Sequence, residues 1–154
     1  MKTATINKID DFFLKNTVSR GIPSKMEDII CAEKELEMEF DKDYVFFLLR
    51  YGGSLIGGKE IYGLHNCGLM GDETVVDLTK RFREDTGEDD GWLVIGTDYT
   101  GNPIGIDKEG KVVLPFAYSY AGGFEEGAAY VSIYDVTFAI DKTGNCMSNC
   151  EQLE

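Results

Sequence analysis

The sequence predicts an α+β domain in which N-terminal helices pack on a curved, mostly antiparallel sheet. Two patterns support this fold class: apolar residues follow a helical period as far as Tyr51, and they follow a period of two after Gly53. The chain has 154 residues, of which 43% are hydrophobic, and it contains no Pro- or Ser-rich linker. A single domain spanning residues 1–154 is therefore expected. Helices followed by strands are typical of the α+β class.

Two helices are predicted before residue 41. Apolar residues within 6–13 indicate a short amphipathic N-terminal helix. A second helix is predicted from Ser24, whose hydroxyl forms a capping-box pattern with Glu27. At 100° per residue, one apolar stripe of this helix contains Met26, Ile29, Ile30, Leu36 and Phe40.

A third helix and a hairpin are predicted next. Asp41 is expected to cap a helix over residues 44–51, which Gly52-Gly53 ends. Residues 54–56 and 60–64 surround a Gly-Gly pair and predict a β-hairpin. A further helix is predicted after Asp72.

The second half of the chain is dominated by strand patterns. The predicted strands are residues 92–95, 103–107, 111–114, 128–133 and 136–140. Two of them lead into similar turns, Asp107-Lys108-Glu109-Gly110 and Asp141-Lys142-Thr143-Gly144. In each turn the aspartate is expected to accept bonds from its own backbone, and the glycine is expected to adopt the left-handed conformation.

The chain is strongly acidic, with 15 basic and 28 acidic residues and a formal net charge of −13. This charge argues against nucleic-acid or anionic-membrane partners, because both need clustered Lys and Arg. It favours either solubility alone or a basic protein partner. The charge is uneven: residues 27–43 carry −6 and residues 72–90 carry −5, whereas residues 1–23 carry +2.

The four cysteines are relevant to the cellular compartment and to a possible zinc or thiol site. Residues 1–10 lack the apolar core of a signal peptide, and no membrane-spanning apolar run occurs, so a cytoplasmic location is expected. In that compartment all four cysteines are expected as thiols. A zinc or thiol site could only be assembled from His65, Cys67, Cys146 and Cys150. Their spacing is not that of a standard zinc knuckle, so no metal or other cofactor is predicted.

Catalysis is poorly supported by the sequence. A Cys–His or Ser–His pair would have to use His65, the only histidine, and no third orienting group is evident. Glu33 is predicted to project into the apolar stripe of the second helix, where a carboxylate needs donors. It is either a perturbed acid in a cleft or, as we favour, a structural carboxylate that binds the Gly52-Gly53 or Tyr62-Gly63 backbone.

The acidic run of residues 84–90 has two interpretations. Its carboxylates are either a solvated surface or a phosphate mimic that occupies the basic groove of a nuclease. Trp92 and Tyr99 lie nearby and could anchor such an interface. For Trp92 the position at a strand start favours the core.

Five motifs in order resemble the SUKH superfamily of Smi/Knr type. They are Glu33-x2-Leu36, Asp43-Tyr44-x2-Phe47-Leu48-x2-Tyr51-Gly52-Gly53, Ile61-Tyr62-Gly63-Leu64, Leu93-Val94-Ile95-Gly96-x-Asp98 and Gly101-Asn102-Pro103-Ile104-x-Ile106-Asp107-x2-Gly110. The resemblance covers about residues 24–113. The family usually has Leu-Pro where this chain has Phe40-Asp41. Residues 110–145 also resemble one WG-type repeat without its Trp-Gly pair, and such repeats are binding modules.

The SUKH resemblance implies a cytoplasmic immunity protein that neutralises a cognate polymorphic toxin, often a nuclease, by occluding its active site. A basic protein toxin is the expected partner, and the expected toxin-binding residues are Asp72, Glu73, Glu84, Asp85, Glu88, Asp89, Asp90, Trp92, Asp98 and Tyr99. Structural roles are expected for Glu33, Tyr44, Gly52, Gly53, Tyr62, Gly63 and Asp107. The alternatives are a non-catalytic adaptor of the same fold and, less favoured, a small thiol or zinc enzyme.

Overall fold

Helices occupy the first half of the chain and strands the second, in a computed structural model that describes residues 1–87, 91–98, 101, 103–113, 120–133, 136–143 and 145–148. The helices are α1 (Thr3–Lys15), α2 (Met26–Leu36), α3 (Lys42–Tyr51) and α4 (Val75–Thr86), with a 3₁₀ turn at Thr17–Ser19. The strands are β1 (Ser54–Ile56), β2 (Lys59–Ile61), β3 (Leu93–Thr97), β4 (Pro103–Ile106), β5 (Tyr120–Glu125), β6 (Ala128–Ile133), β7 (Val136–Asp141) and β8 (Cys146–Ser148). The predicted α+β class is confirmed.

Helix α3 begins as the sequence predicts. The Asp41 side chain accepts hydrogen bonds from the backbone N–H groups of Asp43 and Tyr44, at 2.9 and 3.1 Å. These are two of the donors that the first turn of a helix leaves unpaired. Gly52 ends the helix with a φ of +65°, a conformation that favours glycine.

Helix α2 begins differently from the prediction. Its N-cap is Lys25, whose backbone N–H is bound by the Asp28 carboxylate at 3.3 Å. The Ser24 hydroxyl is buried without a hydrogen-bond partner in the described part of the chain, so the predicted Ser24–Glu27 capping box is wrong. The predicted apolar stripe is also partly wrong, because Met26 and Ile30 are exposed.

The strands form antiparallel pairs throughout. β1 and β2 make the predicted hairpin, which ends at Ile61 rather than residue 64. The Tyr62 N–H then donates to the carbonyl of Ile95 at 2.7 Å and so links this hairpin to the β3–β4 pair. A second sheet has the order β5-β6-β7-β8. Its strands β5 and β8 were not predicted. Of the predicted strand 111–114, the structure describes residues 111–113, in which only a bridge at Val112 occurs.

Three groups of buried side chains connect these elements. The largest joins α2, α3 and α4 to β3 and β4, and Leu48, Val75 and Leu93 lie fully inside it. A second group joins α1 to α3 through the rings of Phe13, Phe47 and Tyr51. The third places Trp92 beneath the C-terminal sheet, among Val113, Ala129, Val131, Phe138 and Ile140. The packing leaves the outer sides of α2 and α4 in solvent.

Candidate partner-binding surface

Helices α2 and α4 meet at their C-terminal ends. The Arg83 guanidinium on α4 donates to the carbonyl of Leu36 at 2.8 Å and lies 3.5 Å from the sulfur of Met38. Lys80 of α4 forms an ion pair with Glu35 of α2. A guanidinium on a C-terminal carbonyl satisfies an acceptor that the helix leaves unpaired. These contacts bring the two most acidic segments, 27–43 and 72–90, together.

Four exposed carboxylates lie on the chain segments next to this contact, and we call them the acidic face: Glu37, Glu39, Glu84 and Asp85. Within the described residues, none of their carboxylates has a hydrogen bond or an ion pair. Glu37 lies at the C-cap of α2 with a φ of +53°, and Glu84 and Asp85 lie in the last turn of α4. Negative charge therefore projects into solvent from two adjacent helix ends.

A groove of about 330 Å³ continues this negative surface along the two helices. Its lining includes the carboxylates of Asp28, Glu35 and Asp77, together with Cys31 and His65. His65 lies 3.7 Å from the Asp28 carboxylate. The bond from the Thr74 backbone N–H lowers the pKa of Asp77 below its usual range and keeps the carboxylate charged. Cys31 is a free, exposed cysteine here.

The predicted toxin-binding residues are distributed over several places. Glu84 and Asp85 belong to the acidic face, whereas Asp72 and Glu73 are exposed at the opposite end of α4, where Glu73 pairs with Arg81. Asp98 is half-buried beside β3. Trp92 is 8% exposed and stacks on Phe82, with ring centroids 6.1 Å apart, so it is a core residue. Four predicted contacts lie outside the described residues: Glu88, Asp89, Asp90 and Tyr99.

Two tyrosines of the family motifs, Tyr44 and Tyr62, form hydrogen bonds within the protein. The buried Tyr44 hydroxyl donates to the carbonyl of Tyr62 at 2.6 Å, and the Tyr62 hydroxyl donates to the Glu60 carboxylate at 2.9 Å. Burial raises the pKa of Tyr44 far above its usual range, and burial together with Glu60 raises the pKa of Tyr62 to about 12. Both phenols therefore remain protonated donors near neutral pH.

The motif glycines allow three backbone segments to cross. A Cβ on Gly53 would lie 1.9 Å from the Asn66 side-chain oxygen, and one on Gly63 would lie 2.5 Å from the Gly53 nitrogen. A Cβ on Gly52 would lie 2.2 Å from the carbonyl oxygen of Ile22. No side chain therefore fits at this crossing without a shift of the backbone.

Glu33 is a structural carboxylate, but it binds a different segment from the one predicted. Its oxygen accepts from the backbone N–H of Phe40 at 2.8 Å, which ties the α2–α3 connection to α2. It does not reach the predicted Gly52-Gly53 or Tyr62-Gly63 backbone among the bonds of the described residues.

The two similar turns have matching hydrogen bonds. Asp107 accepts from the N–H groups of residues 109 and 111 at 3.0 and 2.9 Å, and Asp141 accepts from those of residues 143 and 145 at 2.9 Å each. Gly110 has a φ of +75°, as predicted, whereas Gly144 lies outside the described residues. The Thr143 hydroxyl and these backbone donors lower the pKa of Asp141.

The residues considered for thiol or metal chemistry form no metal-binding group in the part of the chain that the structure describes. Cys67 is buried while His65 is exposed, and no group of three or more His, Cys, Asp or Glu side chains able to hold a metal ion occurs among the described residues. Cys31 and Cys67 are free, but Cys146 is disulfide-bonded, so the prediction of four thiols is wrong at this position. Cys150 lies outside the described residues.

The family of this chain is shown by a sequence comparison. The observed fold, with helices packed on antiparallel strands, agrees with the SUKH-type domain that the sequence resembles. A family model described as SMI1-KNR4 cell-wall, SUKH_5, matches residues 5–121. The chain therefore belongs to the SMI1-KNR4 family of the SUKH superfamily. No curated protein matches the sequence. The helices of the described segments are too short or too polar to cross a membrane.

Sequence reasoning missed several residues that shape the site. Glu37 and Glu39 lie in the acidic segment 27–43 but were not selected as contacts, because nothing local distinguishes them from their neighbours. Arg83 enters the sequence prediction only through the net charge of residues 72–90. Its bond to the Leu36 carbonyl depends on tertiary packing and therefore has no local sequence signal. Asn66 was also missed, although it accepts from the Gly63 N–H and donates to two carbonyls of the loop before α4.

Proposed function

We propose that this protein is an immunity protein that binds a cognate bacterial toxin in a stoichiometric complex and occludes the toxin's active site. Membership of the SUKH superfamily supports a role in binding rather than catalysis. The acidic face is the observation that carries the proposal. It presents four carboxylates that have no ion pair among the described residues, at and beside two helix ends that Arg83 holds together.

The position of these carboxylates is unfavourable for folding. A helix C-terminus carries partial negative charge, so Glu84 and Asp85 in the last turn of α4 weaken the helix. Glu37 adopts a left-handed conformation, in which glycine is more stable. Acidic residues at three positions where local stability favours other residue types support a function outside folding.

A basic nuclease is the proposed class of toxin. The cleft of a nuclease carries cations that bind phosphates, and carboxylates on a rigid surface can occupy the same cations. The groove along α2 and α4 extends the negative surface beyond the acidic face and offers a channel for a basic side chain. Charge and shape complementarity of this kind gives fast association and a strong dependence on salt.

The direct test uses the protein encoded beside this one in its genome. The two proteins should co-purify in a one-to-one complex, measured by light scattering, and one equivalent of this protein should abolish the nuclease activity of the toxin. If no complex forms and the toxin remains active with excess protein, the proposal fails and an adaptor of the same fold becomes the better explanation.

Charge-reversal variants test the surface itself. Glu37→Lys, Glu84→Lys and Asp85→Lys should each weaken toxin binding by about 10-fold or more, because a desolvated carboxylate is replaced by a repelling cation. Asp11→Lys is the matched control, since it changes the net charge equally on α1, which packs against α3 rather than α4. An equal effect of all four variants would assign the binding to net charge rather than to the acidic face.

A further inference from the structure

A groove of about 770 Å³ is lined by residues from the second half of α1, the 3₁₀ turn, the segment after that turn and the end of α3, and we call it the α1 groove. Its wall is mostly apolar and includes Leu14, Ile22 and Pro23. Leu14 and Ile22 are 78% and 66% exposed, so the core does not cover them. None of the lining residues belongs to the acidic face. A groove of this volume, with an apolar wall and a few polar groups, has the size of a small-molecule site.

The backbone at Gly21, in the wall of the groove, is fixed by buried contacts. Its N–H donates to the buried Ser54 hydroxyl at 3.0 Å, and that hydroxyl donates to the Tyr51 carbonyl at 3.0 Å. A Cβ on Gly21 would lie 2.1 Å from the carbonyl oxygen of Gly53, so this segment packs directly against the glycine crossing. Arg20 precedes Gly21 and is held with it. A preformed site of this kind loses little entropy when a ligand binds.

The polar groups of the groove bind one another, with two exceptions. The Asp10 carboxylate accepts from the Arg50 guanidinium at 2.7 Å and from the Tyr51 hydroxyl at 2.8 Å. These bonds, with that of Arg50 the stronger cause, lower the pKa of Asp10 and keep it a paired carboxylate. Arg20 donates to the Arg50 carbonyl at 2.8 Å and lies 5.8 Å from the centre of the Tyr51 ring, but it has no ion pair among the described residues. The Thr17 hydroxyl has no hydrogen bond in that part of the chain.

The polar capacity that remains in the groove is therefore that of a donor. A guanidinium has five N–H donors, and Arg20 uses one of them on the Arg50 carbonyl. The planar fork of an arginine matches the two oxygens of a carboxylate. Two guanidinium groups and the single carboxylate of Asp10 give this part of the surface a net charge of +1. Its sign is opposite to that of the whole chain, which carries −13.

We propose that the α1 groove binds a small amphipathic carboxylate with an aliphatic chain. Arg20 binds the carboxylate, with the Thr17 hydroxyl as a second donor, and the aliphatic chain lies on Leu14, Ile22 and Pro23. A cation with the same chain would leave these donors unpaired and would be repelled by Arg20. This site is separate from the acidic face, so the inference does not depend on the proposed toxin partner.

A titration of the ¹⁵N-labelled full chain with decanoate, followed by NMR, tests this inference. Decanoate should shift the backbone amides of residues 10–22 in a saturable way, with a Kd of about 0.05–1 mM. Decylammonium has the same chain and the opposite charge, and it should bind at these residues at least about 10-fold more weakly. The absence of a saturable shift with about 5 mM decanoate overturns the proposal. Equal binding of decylammonium at residues 10–22 also overturns it.

Paired variants test the two parts of the site. Arg20→Gln should weaken decanoate binding by about 5- to 20-fold. Lys15→Gln is its control, because it removes the same charge from an exposed residue of α1 that does not line the groove. Ile22→Gln should weaken binding by about 3- to 10-fold through the loss of apolar area. Val18→Gln is the matching control, since Val18 is 69% exposed in the 3₁₀ turn but does not line the groove.

Either pair can contradict the proposal. Equal effects of Arg20→Gln and Lys15→Gln would assign the binding to net charge, and equal effects of Ile22→Gln and Val18→Gln would assign it to exposed apolar surface in general. Unchanged circular dichroism establishes that each variant is folded.

Discussion

The buried hydroxyl of Tyr44 joins helix α3 to the end of β2 through the carbonyl of Tyr62, at 2.6 Å. If the donor is removed, the buried carbonyl has neither its hydrogen bond nor the water that it binds in the unfolded state, and this lowers the stability of the folded state. Burial also raises the pKa of Tyr44 far above its usual range, so its hydroxyl keeps its proton and remains a donor near neutral pH. A single polar atom thus fixes the helix against the hairpin.

Tyr44→Phe should therefore lower the free energy of unfolding by about 1–3 kcal/mol. The matched control is Tyr62→Phe, because the Tyr62 hydroxyl binds Glu60 at a partly exposed position and should cost less than about 1 kcal/mol. Urea denaturation measures both values. Equal costs for the two substitutions would contradict the role given to the Tyr44 bond.

A second prediction at the scale of single residues concerns the cost of a side chain at Gly110. Its φ is +75°, and a Cβ there would lie 2.6 Å from the Asp41 carboxyl carbon, which belongs to the cap of α3. Gly110→Ala should destabilise the protein by about 2–4 kcal/mol, from backbone strain and displacement of the cap. Gly58→Ala has a similar φ of +79° with open space around it, and should cost only about 1 kcal/mol. Thermal denaturation distinguishes the two, and similar losses would refute the Asp41 contact.

At the scale of elements, α4 depends on a reciprocal cap. The Asp77 carboxylate accepts from the Thr74 backbone N–H at 2.8 Å, and the Thr74 hydroxyl accepts from the Asp77 N–H at 3.2 Å. The first of these bonds lowers the pKa of Asp77 below its ordinary 3.8. A carboxyl whose pKa is lower in the folded state stabilises the fold above its unfolded pKa, and this contribution disappears as the pH falls through the folded value.

Asp77→Asn should lower the free energy of unfolding by about 0.5–1 kcal/mol at neutral pH. The difference from the wild type should begin to shrink when the pH falls below the ordinary carboxyl pKa of 3.8, and it should disappear below the lower pKa that Asp77 has in the folded state. Asp85→Asn is the control on the same helix, and it should be neutral or slightly stabilising because Asp85 lies near the C-terminus. Denaturant titrations between about pH 3 and 7 give the free energies of unfolding of the wild type and of both variants. A difference that is constant over this range would contradict the cap.

At the C-terminal end of α2, a substitution is expected to stabilise the fold rather than to destabilise it. Glu37 has a φ of +53° at the C-cap, so Glu37→Gly should raise the free energy of unfolding by about 0.5–1 kcal/mol. The same change removes one carboxylate of the acidic face and should weaken toxin binding. Glu39→Gly is the control, because Glu39 is not among the described residues with positive φ and its replacement brings no such gain. A Glu37→Gly variant that is less stable than the wild type would contradict the strain at this position.

Local signals account for the elements that the sequence predicted correctly. Asp41 and Gly52 act on backbone groups within a few residues of themselves, so the limits of α3 could be read without knowledge of the fold. The start of α2 was predicted one residue early because the carboxylate that binds the N-cap N–H is that of Asp28, on Lys25, and tertiary packing buries the Ser24 hydroxyl that was expected to cap the helix. Strands β5 and β8 were missed because their glycine-rich and polar sequences have no clear alternation.

At the scale of the whole molecule, the sequence predicted which segments are acidic but not that they are adjacent. That adjacency arises from contacts between residues 45 or more positions apart, such as Arg83 with Leu36 and Lys80 with Glu35. The same limit applies to two apolar side chains of α2. A helical pattern predicted Met26 and Ile30 to face the core, whereas the structure turns both toward solvent.

The association rate constant tests most directly whether the acidic face binds a basic toxin, as proposed. Stopped-flow measurements with the cognate toxin should give a rate that falls by about 10-fold or more between roughly 0.05 and 0.5 M salt, with a much shallower dependence for Glu84→Lys and an unchanged one for Asp11→Lys. A rate that is indifferent to salt, or to the charge at position 84, would contradict the account.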